Sequence, residues 1–270
     1  MGKISNNKGV TLIELLISAL ISSVVISSAM SLYLTQHKQM IVQDQISDMQ
    51  HNIRASIQEL GDKIKMAGYN VPSGMDALLI SNADPDTIEI FYDSEVLDGV
   101  SINHAMPQPS AELRCDGDLS GLEDGNWIYI YDPFTQTGEF FEISHVQAAA
   151  GHIQHNTMAL SRCYPVGSLV IRMNGFKYYI DNTTDSQHPK LMIARNHQQP
   201  QIYADNIIDL QFRYVLSSGA IVDVPPIAEM IREVIINVSA RTDRADNEFE
   251  TPYRTRALQT RVKVRNLGIG

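Results

Sequence analysis

The chain has 270 residues, 44% of them hydrophobic, and a formal net charge of −10. An acidic chain argues against a dedicated nucleic-acid binder, which would need a basic surface. Its two cysteines, Cys115 and Cys163, form no C-x-x-C pattern, which argues against a redox enzyme.

Lys3 and Lys8 precede Gly9, and an apolar run then extends from Val10 to Leu34 with one charge, Glu14. As a helix, this run reaches roughly 37 Å, enough to cross a bilayer core of about 30 Å. A carboxylate in such a segment costs roughly 2.5 kcal/mol or more in lipid, so its presence implies a waiting partner. A cleaved secretory signal would be cut after the apolar run, where Ser27-Ser28-Ala29 imitates a site. The run is longer than a signal core, however, and passes straight into an amphipathic helix. A plain single-pass anchor leaves Glu14 unexplained.

The segment Lys8-Gly9-Val10-Thr11-Leu12-Ile13-Glu14-Leu15 resembles the processing site of type IV pilins and the related pseudopilins of type II secretion. That family has a short basic leader ending in Gly, then an apolar helix with Glu at its fifth position; Phe most often follows the Gly, where this chain has Val10. The resemblance implies cleavage after Gly9 by a prepilin peptidase and N-methylation of Val10. It also implies an assembly contact through Glu14, facing the amine of a neighbouring subunit.

No Gly or Pro occurs between Val10 and Leu60, so the helix is predicted to run on to about Met66. Ala19, Ser23, Ser27 and Ser31 recur every four residues, a spacing that lets membrane helices approach closely. Further on, Ile46, Met49, Ile53, Ile57, Leu60 and Ile64 form one apolar face, the pattern of a helix packed on a domain. Ala67 to Pro72 carries turn-forming residues that end the helix.

The remaining 200 or so residues read mainly as strands. Candidates are Thr87 to Tyr92, Asn126 to Tyr131, Gly138 to Val146, Met158 to Ser161, Ser168 to Met173, Phe176 to Ile180, Leu191 to Ala194 and Ile207 to Val215. Val234 to Ala240 and Thr255 to Val264 read as a hairpin around a charged loop. The last of these is basic, the pattern of a solvated sheet face. Pro225 to Ile231 reads equally as a helical turn or a strand lead-in. The predicted fold class is therefore α+β: a long N-terminal helix, half membrane-spanning and half amphipathic, packed on an antiparallel β-rich domain. The boundaries are a leader at 1–9, the helix at 10–66 with its spanning part at about 10–34, and the β domain at 67–270.

This plan is pilin-like, and some stretches resemble the PilW family of minor pilins more closely. Gln50 to Arg54 and Ile64 to Tyr69 are similar to that family's helix end, with Lys65 where Arg is usual. Asn206 to Tyr214 is similar to a late strand, and Arg232 to Arg241 and the basic final strand are similar too. The J-type pseudopilin of type II secretion shares the plan and is the nearest rival. A membrane-anchored binding or adhesion domain that does not polymerise is a third reading. The resemblance implies other minor and major pilins, the prepilin peptidase, the inner-membrane assembly platform and membrane lipid as partners. It also implies an inner-membrane location with the domain in the periplasm, and then in the pilus.

Three smaller features complete the reading. In an oxidising compartment Cys115 and Cys163 are expected to pair, closing a loop worth roughly 4 kcal/mol in the chain-entropy model. Asp116-Gly117-Asp118-Leu119-Ser120-Gly121 repeats the first half of an EF-hand-like loop, so Asp116, Asp118 and Ser120, with Asp124 or Glu123, are candidate calcium ligands. The bidentate Glu of such loops is missing, since Trp127 holds its position, and a polar turn is the competing reading. His152 and His155 lack a companion carboxylate cluster and are expected at the surface. No nucleophile elbow, Walker loop or H-E-x-x-H occurs, so no enzyme activity or resident cofactor is expected.

Overall fold

The computed structural model describes residues 10–155, 159–246 and 251–267, with backbone alone for 93–99. The expected leader, with Gly9, lies outside the described residues. One helix, α1 (Leu12–Met66), is followed among the described residues by fourteen strands. These are β1 (Leu78–Ser81), β2 (Thr87–Ile102), β3 (Leu113–Asp116), β4 (Trp127–Asp132), β5 (Thr137–Glu142), β6 (His145–Gln147) and β7 (His152–Gln154), then β8 (Leu169–Asp181), β9 (Lys190–Arg195), β10 (Gln201–Asp205), β11 (Ile207–Leu216), β12 (Ile221–Val222), β13 (Ile231–Arg241) and β14 (Thr255–Lys263). The chain falls into two units that part inside α1, between Asp48 and Met49.

In the first unit the helix is exposed along the whole apolar run, with Leu12 at 77% and Ile26 at 67%. It is long and apolar enough to cross a membrane. Hydroxyls within the run turn back on the helix. Ser23, in the small-residue stripe, donates to the Leu20 carbonyl at 2.7 Å, and Ser28, beside it, to Val24 at 2.9 Å, so these hydroxyls are satisfied locally.

The second unit is the α+β body. Ten strands form one antiparallel sheet along β10-β9-β8-β2-β3-β7-β6, with β1, β4 and β5 attached, and four form a second along β12-β11-β13-β14. The two tracts expected on either side of Asn174 and Gly175 are one strand, β8. Gly175 pairs across from Phe91, and a Cβ there would sit 2.8 Å from the Phe91 ring. The tract from Gly138 to Val146 divides into β5 and β6. No strand forms over residues 159–161, and Met158 lies outside the described residues. Pro225 to Ile231 resolves as a short 3-10 turn, Ala228–Met230, leading into β13.

The predicted apolar face of α1 is where the helix buries itself. Met49, Ile53, Leu60 and Ile64 are buried, Ser56 and Gly61 join them, and Ile46 and Ile57 are half-buried. Polar side chains beside that face find partners on the large sheet. Tyr178 on β8 donates to Glu59 at 2.9 Å, Tyr203 on β10 to the Ala55 carbonyl at 3.2 Å, and Lys63 to Tyr92 on β2 at 2.9 Å. The Lys63 ammonium also lies 4.0 Å from the Phe176 ring centroid. At its end the helix turns through Gly68, at φ +79°, where a side chain would meet Leu267. The remaining core fills the interior of the β body, with Ile102, Leu113, Ile128, Phe141 and Val170 in one cluster and Phe91, Tyr129 and Met173 in another.

Gly61 is a weak point in this helix, because an interior glycine costs up to about 1 kcal/mol relative to alanine. A Cβ at Gly61 would lie 3.5 Å from Val262 Cγ2, an ordinary contact. Gly61→Ala should therefore raise stability by about 0.5–1 kcal/mol, read from the urea midpoint of the domain transition. A fall of similar size would mean that the helix and β14 are packed too closely for a methyl group.

Candidate functional site

The residues singled out at the N-terminus form a compact arrangement. Thr11 precedes the first helical residue, Leu12, and its carbonyl accepts the first helical bond from Leu15 at 3.2 Å. Its amide donates to Glu14 Oε2 at 2.8 Å and its hydroxyl donates to the same oxygen at 2.9 Å. The Glu14 amide donates back to Thr11 Oγ1 at 3.4 Å. This is a capping box: the N-cap hydroxyl and the carboxylate three residues on satisfy each other's backbone donors. Free N–H groups at a helix start are costly in an apolar medium, and the positive end of the helix dipole favours a carboxylate there. Thr11 is a functional residue that the expected contact of Glu14 with another chain leaves out. The pattern [ST]-x-x-[DE] before an apolar run was its signal. Val10 is 69% exposed, so its amine, once freed by cleavage, would lie at the accessible head of the helix.

Residues 4–30 match the family model for the prokaryotic N-terminal methylation motif. No curated protein matches the chain. The matched segment holds Gly9, Val10, Thr11 and Glu14, so the chain carries a prepilin-type N-terminus ahead of an apolar helix able to anchor a globular domain.

The other predicted sites come out differently. Cys115 and Cys163 are free thiols, not a disulfide. Cys115 points into the core cluster with Leu113 and Ile153, whereas Cys163 is exposed, so the two side chains face different surroundings. Burial pushes the Cys115 thiol up to about 12.

The candidate calcium residues are not brought together as one ligand set. Among the described residues no group of three or more Asp, Glu, His or Cys side chains is placed to hold a metal. Asp116 accepts from Asn103 at 2.6 Å, and Asp118 accepts from the Ser120 amide at 2.9 Å within its own turn. Asp124 holds the Val146 amide at 2.9 Å and His145 at 3.1 Å. The three carboxylates are thus spent on three separate jobs. Leu119 and Leu122 are buried and pin the loop to the core, and Arg172 donates to the Gly121 carbonyl.

The two histidines do not meet as a pair. His152 lies 3.5 Å from Glu112 at the surface, while His155, expected to be exposed, is buried and bonded to the Ala111 carbonyl at 2.7 Å. A further imidazole, His197, stacks on Trp127 with centroids 4.5 Å apart and lies 3.3 Å from Glu89. It sits in a tight turn with Asn196, both at positive φ. Nothing in its sequence neighbourhood signalled this arrangement, which joins the turn after β9 to β4 and β2.

Maleimide labelling of the native protein at pH 8 should modify Cys163 and spare Cys115. Cys115 is shielded from reagent and, with its thiol at about 12, stays protonated. It should react only when denaturant is added. Equal native labelling of both residues would mean that β3 opens readily, and a linked peptide pair on non-reducing digestion would restore the bridge.

Proposed function

We propose that this chain is a minor pilin of a type IV pilus, with a structural and not an enzymatic role. In this reading a prepilin peptidase cuts after Gly9 and the new amine of Val10 is methylated. Residues 10–34 hold the protein in the inner membrane with the β body in the periplasm. The subunit then joins other minor and major pilins, through the inner-membrane assembly platform, in the complex that starts the pilus or forms its tip. The observation that carries the reading is the methylation motif across residues 4–30. The uncovered apolar helix and the PilW-like residues at 64–69 and 206–214 support it. The same features suit a type II secretion pseudopilin, and co-isolation with sheared pili separates the two.

The capping box gives Glu14 two separable roles. Its hydrogen bonds to Thr11 need only an acceptor, and glutamine serves in such a box as well. Its charge is needed only if an ammonium group from a neighbouring subunit faces it in a low-dielectric core. Glu14→Gln should therefore leave helix start, membrane level and cleavage intact while lowering recovery in sheared filaments at least tenfold. Thr11→Ala removes the cap itself and should weaken the helix start by about 1 kcal/mol.

Mass spectrometry of the mature protein should find N-methylated Val10 as the first residue. A start at Met1 or near residue 30 would remove the pilin reading. Wild-type incorporation of Glu14→Gln at equal membrane level would leave Glu14 with its capping role alone.

A further inference from the structure

The small sheet ends on an open edge. β14 pairs with β13 in nine consecutive antiparallel steps, from Arg241 opposite Thr255 to Glu233 opposite Lys263, with no bulge. It pairs with no other strand among the described residues. The direction of its backbone groups follows from the two ends of the ladder. Val264 donates to the Arg232 carbonyl at 2.9 Å, and Thr242 donates to the Arg254 carbonyl at 2.9 Å. Both bonds involve even-numbered residues of this strand, and antiparallel pairing alternates every residue. The even residues therefore point their backbone groups at β13. Thr255, Ala257, Gln259, Arg261 and Lys263 point theirs outward. All five are exposed, and none is proline.

An unpaired edge of this length is a template for another strand unless something blunts it. Bulges, prolines and covering segments are not used here among the described residues. Charge is used. From Thr251 to Gly270 the chain holds Arg254, Arg256, Arg261, Lys263 and Arg265 and no acidic residue, in a molecule of net charge −10. Arg254 is paired with Asp246 and Arg261 with Glu233, while Arg256, Lys263 and Arg265 are exposed. Two copies of this edge brought together would bring the exposed Arg256, Lys263 and Arg265 of one near those of the other, so the charge disfavours the chain's own kind. The same charge attracts a strand of opposite sign.

We propose that β14 is a docking edge that accepts an extended acidic segment of another protein as a fifth strand. Backbone bonds to the five outward residues supply the affinity, and Arg256 and Lys263, with Arg265 beside them, supply the sign of charge that is admitted. The proposal rests on the sheet alone and stands or falls independently of filament assembly.

The test uses the full chain in detergent micelles and a labelled nine-residue peptide of Glu, Val and Thr with Glu on both of its faces, followed by fluorescence anisotropy at low salt. The peptide should bind, and the amides of Ala257, Gln259, Arg261 and Lys263 should gain protection from hydrogen exchange in the complex. Replacing its Glu with Lys, or N-methylating alternate residues, should weaken binding at least tenfold. On the protein side, Ala257→Pro removes one outward N–H and should weaken binding about tenfold, with the melting temperature checked for loss of fold. Lys263→Glu combined with Arg256→Glu should do the same. Equal binding of the N-methylated peptide by the unaltered protein would reduce the effect to loose charge attraction and overturn the proposal. So would absence of binding, or self-association of the chain through β14.

Discussion

The hydrogen bonds between Thr11 and Glu14 allow a helix to begin with a carboxylate at the head of an apolar run. In water an N-cap contributes about 1 kcal/mol, because solvent can replace it. Near lipid the alternative is an unsatisfied N–H, at several kcal/mol. One glutamate therefore stabilises the helix end, and in the proposed assembly its charge would also face the amine of a neighbouring subunit. The two uses do not compete, since a carboxylate has two oxygens and both bonds from Thr11 fall on Oε2. The other oxygen remains available to a second donor.

At the other end of α1 the problem is reversed. The helix must hold one orientation against a sheet, and apolar packing by itself tolerates sliding. Leu60 and Ile64 supply the burial, but Glu59 and Lys63, one position before each, choose the register. Tyr178 is fully buried with Glu59 as its hydroxyl's partner, and burial, reinforced by that carboxylate, raises the phenol well above its ordinary range. Lys63 lies over Phe176 and bonds to Tyr92. A slip by one residue would leave a buried phenol without its acceptor, at a cost of about 1–3 kcal/mol. The polar contacts thus specify the register of an interface that apolar burial drives.

Much of this architecture was legible because its signals are periodic. Apolar residues at spacings of three and four marked the buried face of α1, and alternation marked β2, β4, β11, β13 and β14. Both patterns follow from which side of an element meets the core. The strands that escaped are short or exposed. β1, β3, β7 and β12 are four residues or fewer, and β10 begins with Gln201 and Ile202 exposed to solvent. Such strands are made by their neighbours and carry little pattern of their own. The capping box is equally legible, in Thr11 and Glu14 three residues apart ahead of an apolar run, but the cost of a carboxylate in lipid points away from it toward a partner in another chain.

The loop from Asp116 to Trp127 shows why a local motif can mislead. Oxygens at alternate positions bind a cation only when the chain between them is free to curl around it. Here the intervening residues include Leu119 and Leu122, and both are drawn into the core with Ile128 and Phe141. Burying two leucines contributes on the order of 3 kcal/mol, and that pull fixes the backbone before any side-chain oxygen is aimed. The carboxylates then take the partners that this path offers: an asparagine for Asp116, a turn amide for Asp118, and the Val146 amide of β6 for Asp124. The same reasoning separates the cysteines. Cys115 lies on an inward position of β3, whose burial alternates with exposed Arg114 and Asp116, while Cys163 is carried on a surface segment. Spacing along the chain allowed a bridge, but the pleat of β3 turns one of its sulfurs inward.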